Sequence, residues 1–177
     1  QHVYISHYLK QDTDQDVLVI GSAAGQETKA AVAFGARSVD AIEMVGYVVK
    51  IGKETYKDFN GNTFNHPNVN AMVGEGRSYL RSTDKKYDII QIFSNHTSSS
   101  IAAGTGAMAT TYLQTKEAYQ EYFSHLKKDG LLHINHHIYP KMITTAALAW
   151  KEMGLGDFRK HVVVFQAAGK ITDTLPT

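Results

Sequence analysis

The run Val17-Leu18-Val19-Ile20 and the turn after it constrain this chain more than any other feature. Four consecutive apolar residues ending at a glycine read as a strand buried on both faces. The next residues, Gly21-Ser22-Ala23-Ala24-Gly25, stay small up to the point where a helix begins with Gln26-Glu27. Small residues let a ligand approach the backbone and let the helix start close to the strand. The free amides at that helix start favour an electronegative group. Glu43 stands 22 positions beyond Gly21, directly after the next apolar run. A carboxylate there can accept both hydroxyls of a ribose. Strand, turn, helix, strand and acid in this register form the fingerprint of an adenine nucleoside or dinucleotide site. Ala23 stands where the strict G-x-G form has its second glycine, so the turn alone is a weak signal.

The rest of the chain alternates in the same way. Residues 26–34 read as an Ala-rich helix stopped by Gly35. Strands are expected at 38–42, 69–73, 87–93, 131–135 and 162–166, with the last residues adding part of a seventh. Helices are expected at 47–59, 77–80, 115–126 and 141–153. Asp129-Gly130 is read as the stop after the third of these. Residues 94–111 are dominated by Ser, Thr, Gly and Ala, which predicts a loop beside a ligand. Apolar strands separated by helices imply an α/β fold: a Rossmann-like, doubly wound, mostly parallel sheet of six to seven strands with helices on both faces. The length of 177 residues suits one domain, and the opening on Gln1 suits a piece cut from a longer chain. Right-handed crossovers put every strand's C-terminal end at one edge, where ligands of such sheets bind.

That edge carries a third element. Gly74-Glu75-Gly76-Arg77 follows the third strand, and its acid can accept a hydrogen bond from an adenine amino group. Composition narrows the partners further. A formal net charge of +1 gives no electrostatic case for nucleic acid. The absence of cysteine excludes disulfides and thiolate metal sites. No run approaches the roughly 18 apolar residues of a transmembrane helix, and no leader is evident, so a cytoplasmic protein is expected.

Other candidates carry less. His133, His136 and His137 lie close in sequence, but a strand puts His133 and Asn135 on one face and His136 on the other. That splits a metal set, and no metal is expected. His96, His136 and His137 follow neighbouring strands and could line one pocket as a source of a general base. Tyr119, Tyr122 and Phe123 have the helical spacing of core residues, and Tyr112 is grouped with them. Lys85-Lys86 and Lys127-Lys128 read as solvated turns.

The segments Asp16-Val17-Leu18-Val19-Ile20-Gly21, Gly25-Gln26-Glu27, Ala41-Ile42-Glu43 and His66-Pro67-Asn68-Val69 continue into Gly74-Glu75-Gly76-Arg77, Tyr87-Asp88-Ile89-Ile90 and Leu126-Lys127-Lys128-Asp129-Gly130. In this order and spacing they resemble the spermidine synthase-like branch of the class I S-adenosylmethionine-dependent methyltransferase fold. The resemblance runs from about residue 16 to 135. It implies that the glycine turn holds the methionine part of S-adenosylmethionine or its decarboxylated form. It also implies that Glu43 holds the ribose and Glu75 contacts adenine. The expected cofactor-binding set is Gly21, Ser22, Ala23, Gly25, Glu43, Met44, Glu75 and Gly76. Two departures matter. Family members carry an aspartate inside the glycine turn and a catalytic aspartate at the end of the fourth strand. Ala24 and Phe93 stand at those positions.

Neither alanine nor phenylalanine can hold an ammonium or take a proton, so aminopropyl transfer to putrescine is disfavoured on these residues. Ser94, Asn95 and His96 are the residues expected on the acceptor side. The leading expectation is a group transferase acting on a small-molecule acceptor, with a homodimer compatible with it. The alternative is a non-catalytic nucleoside-binding or structural domain of a larger, membrane-attached protein. A nicotinamide-dependent oxidoreductase ranks last, because it leaves Gly74-Glu75-Gly76 without a role.

Overall fold

The structure is a computed structural model and describes residues 2–93, 112–135 and 140–165. β1 (Asp16–Ile20) is buried along its whole length, as its unbroken apolar sequence requires. It pairs in parallel with β2 (Ser38–Glu43) on one side and β4 (Tyr87–Phe93) on the other. β3 (Val69–Val73) adds to β2 and β5 (Leu126–Asn135) adds to β4, both in parallel. The strand order is β3-β2-β1-β4-β5. The order reverses between β1 and β4, so the crevice of this sheet opens beside the turn that leaves β1.

Among the described residues six helices cover the two faces: α1 (Ile5–Leu9), α2 (Gln26–Ala33), α3 (Gly46–Lys53), α4 (Gly76–Arg81), α5 (Lys116–Ser124) and α6 (Pro140–Glu152). Strand periodicity decides which face each one meets. Leu18, Ile20, Ile42, Ile90 and Ile92 pack with Leu80 of α4, Tyr119 and Tyr122 of α5, and Ala146 and Ala149 of α6. Val17, Val19, Val39 and Ile89 face the other way, onto Ala31 of α2. Ala41 and Ala71 continue that face toward Val49 of α3 and Phe64. The expected doubly wound α/β fold is therefore the observed one.

Helix ends explain several boundaries. Gly35, at φ 76°, lets its own amide reach the Val32 carbonyl and the Ala36 amide reach the Ala31 carbonyl, each at 3.0 Å. This double bond pattern closes α2 where the sequence put the stop. α3 ends at Lys53, well short of residue 59. The Asn60 side chain turns back and donates to the Gly52 carbonyl at 2.9 Å, which ends the helix early.

Two expectations at the C-terminal side change. β5 starts at Leu126, not Leu131, so Asp129-Gly130 lies inside the strand and α5 stops at Ser124. The register shifts between Tyr87 and Ile89, and a Cβ on Gly130 would sit 2.9 Å from the Tyr87 carbonyl oxygen. Glycine is there for close backbone approach, not as a helix stop. The described part of the expected sixth strand does not join the sheet either: there are five strands among the described residues, and 162–165 belong to none. The chain reaches them along the outside of α6, where Phe158 and His161 pack on Trp150. Val163 and Phe165 are exposed there. Residue 166 and those after it, the rest of that strand and the suggested seventh, lie outside the described residues. So do residues 94–111, the expected loop.

Candidate nucleoside site at the sheet edge

The turn leaving β1 is stitched to the end of β2. The Gly21 and Ser22 amides both donate to the Ile42 carbonyl, at 2.9 and 3.0 Å. Gly21 and Gly25 have φ of 77° and 93°, in the left-handed region. Gly25 is the N-cap of α2, and a Cβ there would lie 3.3 Å from the Phe64 ring. Ala23 also has positive φ, at 42°, which costs about 1 kcal/mol for a residue with a Cβ. Its amide finds the reason for that conformation in Glu43.

The Glu43 carboxylate spans the crevice. Oε2 accepts from the Ala23 amide and Oε1 from the Val45 amide, both at 2.9 Å. Each oxygen keeps a second lone-pair site, so the pinned carboxylate can still accept two hydroxyls. Met44 and Val45 follow it with exposed side chains, as does Val73 at the end of β3. A Cβ on Gly46 would lie 3.4 Å from Val73, which brings the two strand ends together. The edge therefore offers an apolar surface beside the acid, and a flat ring can rest on it. Val45 and Val73 carried no assignment in the sequence. Their exposure is what marks them.

Glu75 is the N-cap of α4. Oε1 accepts from the Arg77 amide at 3.0 Å, and Oε2 accepts from the Ser78 amide and hydroxyl at 2.8 and 2.9 Å. Oε1 is the oxygen with capacity left for an outside donor. Gly76 packs so tightly on Ile20 that any Cβ would overlap it. Arg77 is almost fully buried and forks onto Glu121, Nε to Oε2 at 2.7 Å and a terminal nitrogen to Oε1 at 2.8 Å. It also donates to the Tyr112 carbonyl and lies over the Tyr112 ring, 4.0 Å from its centroid. Tyr119 and Tyr122 are core residues, as expected, whereas Tyr112 is this partly exposed platform.

Gly21, Ser22, Ala23, Gly25, Glu43, Met44, Glu75 and Gly76 thus occur around one edge, at the ends of β1, β2 and β3. Ser94, Asn95 and His96 lie outside the described residues, as do His136 and His137. Phe93 closes β4 opposite Asn135. His133 turns toward α1, with Nδ1 2.9 Å from the Ser6 hydroxyl and 3.3 Å from the Gln91 amide nitrogen. Among the described residues no three His, Asp or Glu side chains group as a metal site would need.

Three buried polar atoms near the turn have no hydrogen-bond partner: Ser22 Oγ, Glu27 Oε1 and Thr28 Oγ1. Burial pushes the Glu27 carboxyl above its ordinary range, and its own backbone amide only partly offsets that. The sequence reading gave Glu27 no role. An acid in the first turn of a helix is common on a surface, and only tertiary structure shows that this one is enclosed.

The opposite edge of the sheet is built from ion pairs. Lys127 Nζ bridges Asp16 at 2.8 Å and Asp88 at 2.6 Å, and Lys85 Nζ reaches Asp40 at 2.7 Å. Arg37 also pairs with Asp16. Lys86 donates to the Ser124 carbonyl. The two lysine pairs are therefore not simply solvated turns, because strand ends from distant sequence bring carboxylates to Lys85 and Lys127. For Asp16 burial works upward, but the hydrogen bonds from Arg37, Lys127 and Ser38 outweigh it and hold the carboxyl well below the usual range.

A family profile described as "Spermine/spermidine synthase domain" matches residues 2–153. The chain belongs to the spermine/spermidine synthase family. A polyamine aminopropyltransferase of Clostridium perfringens is 30% identical over 127 residues, which are 71% of this chain and 41% of that protein. One from Thermoplasma volcanium is 27% identical over 88 residues, 50% of this chain and 32% of that protein. The chain thus spans less than half the length of these family relatives. Among solved structures, spermidine synthase from Thermotoga maritima superposes with a TM-score of 0.62 at 20% identity, covering 86% of this chain and 48% of that one. A SAM-dependent methyltransferase from Agrobacterium tumefaciens gives 0.62 at 13% identity, covering 84% and 49%. At these identities the structural likeness concerns the fold. No helix among the described residues is long and apolar enough to cross a membrane.

Proposed function

We propose that this chain binds S-adenosylmethionine or its decarboxylated form at the β1–β2–β3 edge and serves as a group-transferase domain. The observation that carries the reading is Glu43, held by the Ala23 and Val45 amides with one lone-pair site left on each oxygen. Family membership and the polyamine aminopropyltransferase relatives favour the decarboxylated ligand. In this reading Glu43 takes the ribose hydroxyls. The free site on Glu75 Oε1 takes the adenine amino group, and Met44 and Val73 flank the ring. Gly21 to Gly25 admit the sulfur-bearing chain beside the backbone. The enclosed polar atoms near the turn suit a ligand with polar groups of its own. Such a ligand supplies an electrophilic carbon on a sulfonium sulfur. The protein's work is then to align an acceptor with that carbon and to accept one proton. Ser94, Asn95 and His96, which follow β4 in sequence, are proposed for the acceptor side.

Titration calorimetry tests the reading. Decarboxylated S-adenosylmethionine and methylthioadenosine should bind, and NAD should not. Folded protein that releases no heat with any adenosyl compound would sink it. Product analysis with radiolabelled ligand and diamine acceptors then separates transfer from binding alone, the question that Ala24 and Phe93 raise.

A further inference from the structure

Every buried acid should be paired, and the chain follows that rule at its other edge. Asp16 has Lys127 at 2.8 Å, and Asp40 has Lys85 at 2.7 Å. Glu27 is 2% exposed, more enclosed than either, and no cationic side chain of the described residues pairs with it. Its Oε1 has no hydrogen-bond partner at all. Ser22, wholly buried in the turn itself, has an unpartnered hydroxyl as well. The fold does not need a carboxylate here. A first-turn acid serves a helix dipole equally well in water, without desolvation.

Position says what the missing partner is. Glu27 is the second residue of α2, two positions after the N-cap Gly25. Side chains lean toward the N-terminus of their helix, which here is the turn 21–25. That turn is where the proposed ligand's sulfur-bearing chain lies. Ala24, within that turn, provides no charge. An enclosed acid and a hydroxyl beside this turn are suited to a cation that arrives with the ligand.

We propose that Glu27, assisted by Ser22, forms an ammonium subsite that receives the amino group on the sulfur-bearing chain of an adenosyl ligand. The inference rests on the nucleoside-site reading and names the feature of the ligand that the site selects. A charge-assisted hydrogen bond formed out of water gives selectivity for the amine over an otherwise similar neutral ligand.

Two ligands and one variant test it by calorimetry. Decarboxylated S-adenosylmethionine has the ammonium, and methylthioadenosine lacks it. The chain should bind the first at least about tenfold more tightly than the second. Glu27→Gln should lose that preference through weaker binding of the amine, with methylthioadenosine affinity within about twofold of the parent. A parent that binds both ligands equally overturns the subsite, whatever the variant does. A preference that survives in Glu27→Gln overturns it too, and so does an equal fall for both ligands. If the parent binds neither, the nucleoside site itself is wrong and the subsite falls with it. Binding of methylthioadenosine by the parent separates the two failures.

Discussion

The Glu43 carboxylate accepts the Ala23 amide at 2.9 Å, an acid at the end of β2 holding a residue of the turn that leaves β1. Ala23 sits at positive φ, so the bond fixes a turn that alanine alone would not favour. The ribose acid of the reading is therefore also the acid that shapes the glycine turn.

Glu43→Ala should abolish detectable binding of methylthioadenosine, since it removes the ribose acceptor and releases Ala23 together. Glu43→Gln keeps an oxygen for one of the two amides and should lose about tenfold or more, as expected when a charged acceptor becomes neutral. Calorimetry reads both. Unchanged affinity in either variant rejects the ribose assignment.

Arg77 and Glu121 predict a large effect on stability. Arg77→Met leaves Glu121 with only the more exposed Arg81 and frees the Tyr112 carbonyl, so it should cost about 3 kcal/mol. Arg77→Lys should recover little of this, because an ammonium cannot fork onto both carboxylate oxygens and lie over the Tyr112 ring together. Urea unfolding followed by circular dichroism measures both. A loss under about 1 kcal/mol for the methionine variant would contradict the assignment.

Gly76→Ala should destabilise the chain by about 1–3 kcal/mol, the usual range for forcing a methyl into a filled core. The added Cβ collides with Ile20, and α4 must move from β1. Since Glu75 caps α4, nucleoside affinity should fall with stability. A thermal melt and a titration on one sample check the coupling.

His7 predicts an acid-sensitive fold. It is fully buried, with Nε2 3.0 Å from Gln91 Oε1 and Nδ1 3.2 Å from Gln15 Oε1. Burial lowers its pKa below the ordinary value, and the two glutamine contacts only partly restore it. The unfolded chain therefore takes up this proton first as pH falls. Stability should be complete above about pH 6.5, fall below it, and level off beneath the folded-state value. His7→Asn should flatten that segment of the profile. Urea midpoints between pH 8 and 5 give the comparison, and parallel profiles would reject His7 as the source.

Most of the sheet was legible because its signals are local. The apolar run 17–20, the Gly35 stop and the acid after 38–42 each specify their own conformation within a few residues, and β1, the end of α2 and Glu43 stand where those patterns put them. The described part of the expected sixth strand, 162–165, lies outside the sheet for the opposite reason. A strand is a pairing, and residues 162–165 pair with no strand of the sheet among the described residues. β5 began early because the start of Leu126–Asn135 pairs with Tyr87, a partner 39 positions away in the chain.

The site divides along the same line. By itself the sequence determined which residues reach the C-terminal edge, since a parallel sheet with right-handed crossovers follows from the alternation of elements. The family resemblance also implied that Ala24 and Phe93 stand where aspartates are expected. Only tertiary structure decided what each acid does there. Glu43 is pinned by two amides, Glu75 is largely occupied in capping α4, Asp16 is neutralised by Arg37 and Lys127, and Glu27 is enclosed with an oxygen unpartnered. These four carboxylates are chemically near-identical as residues. Their desolvation and their partners come from chain segments folded against them, and those cannot be read from the positions alone.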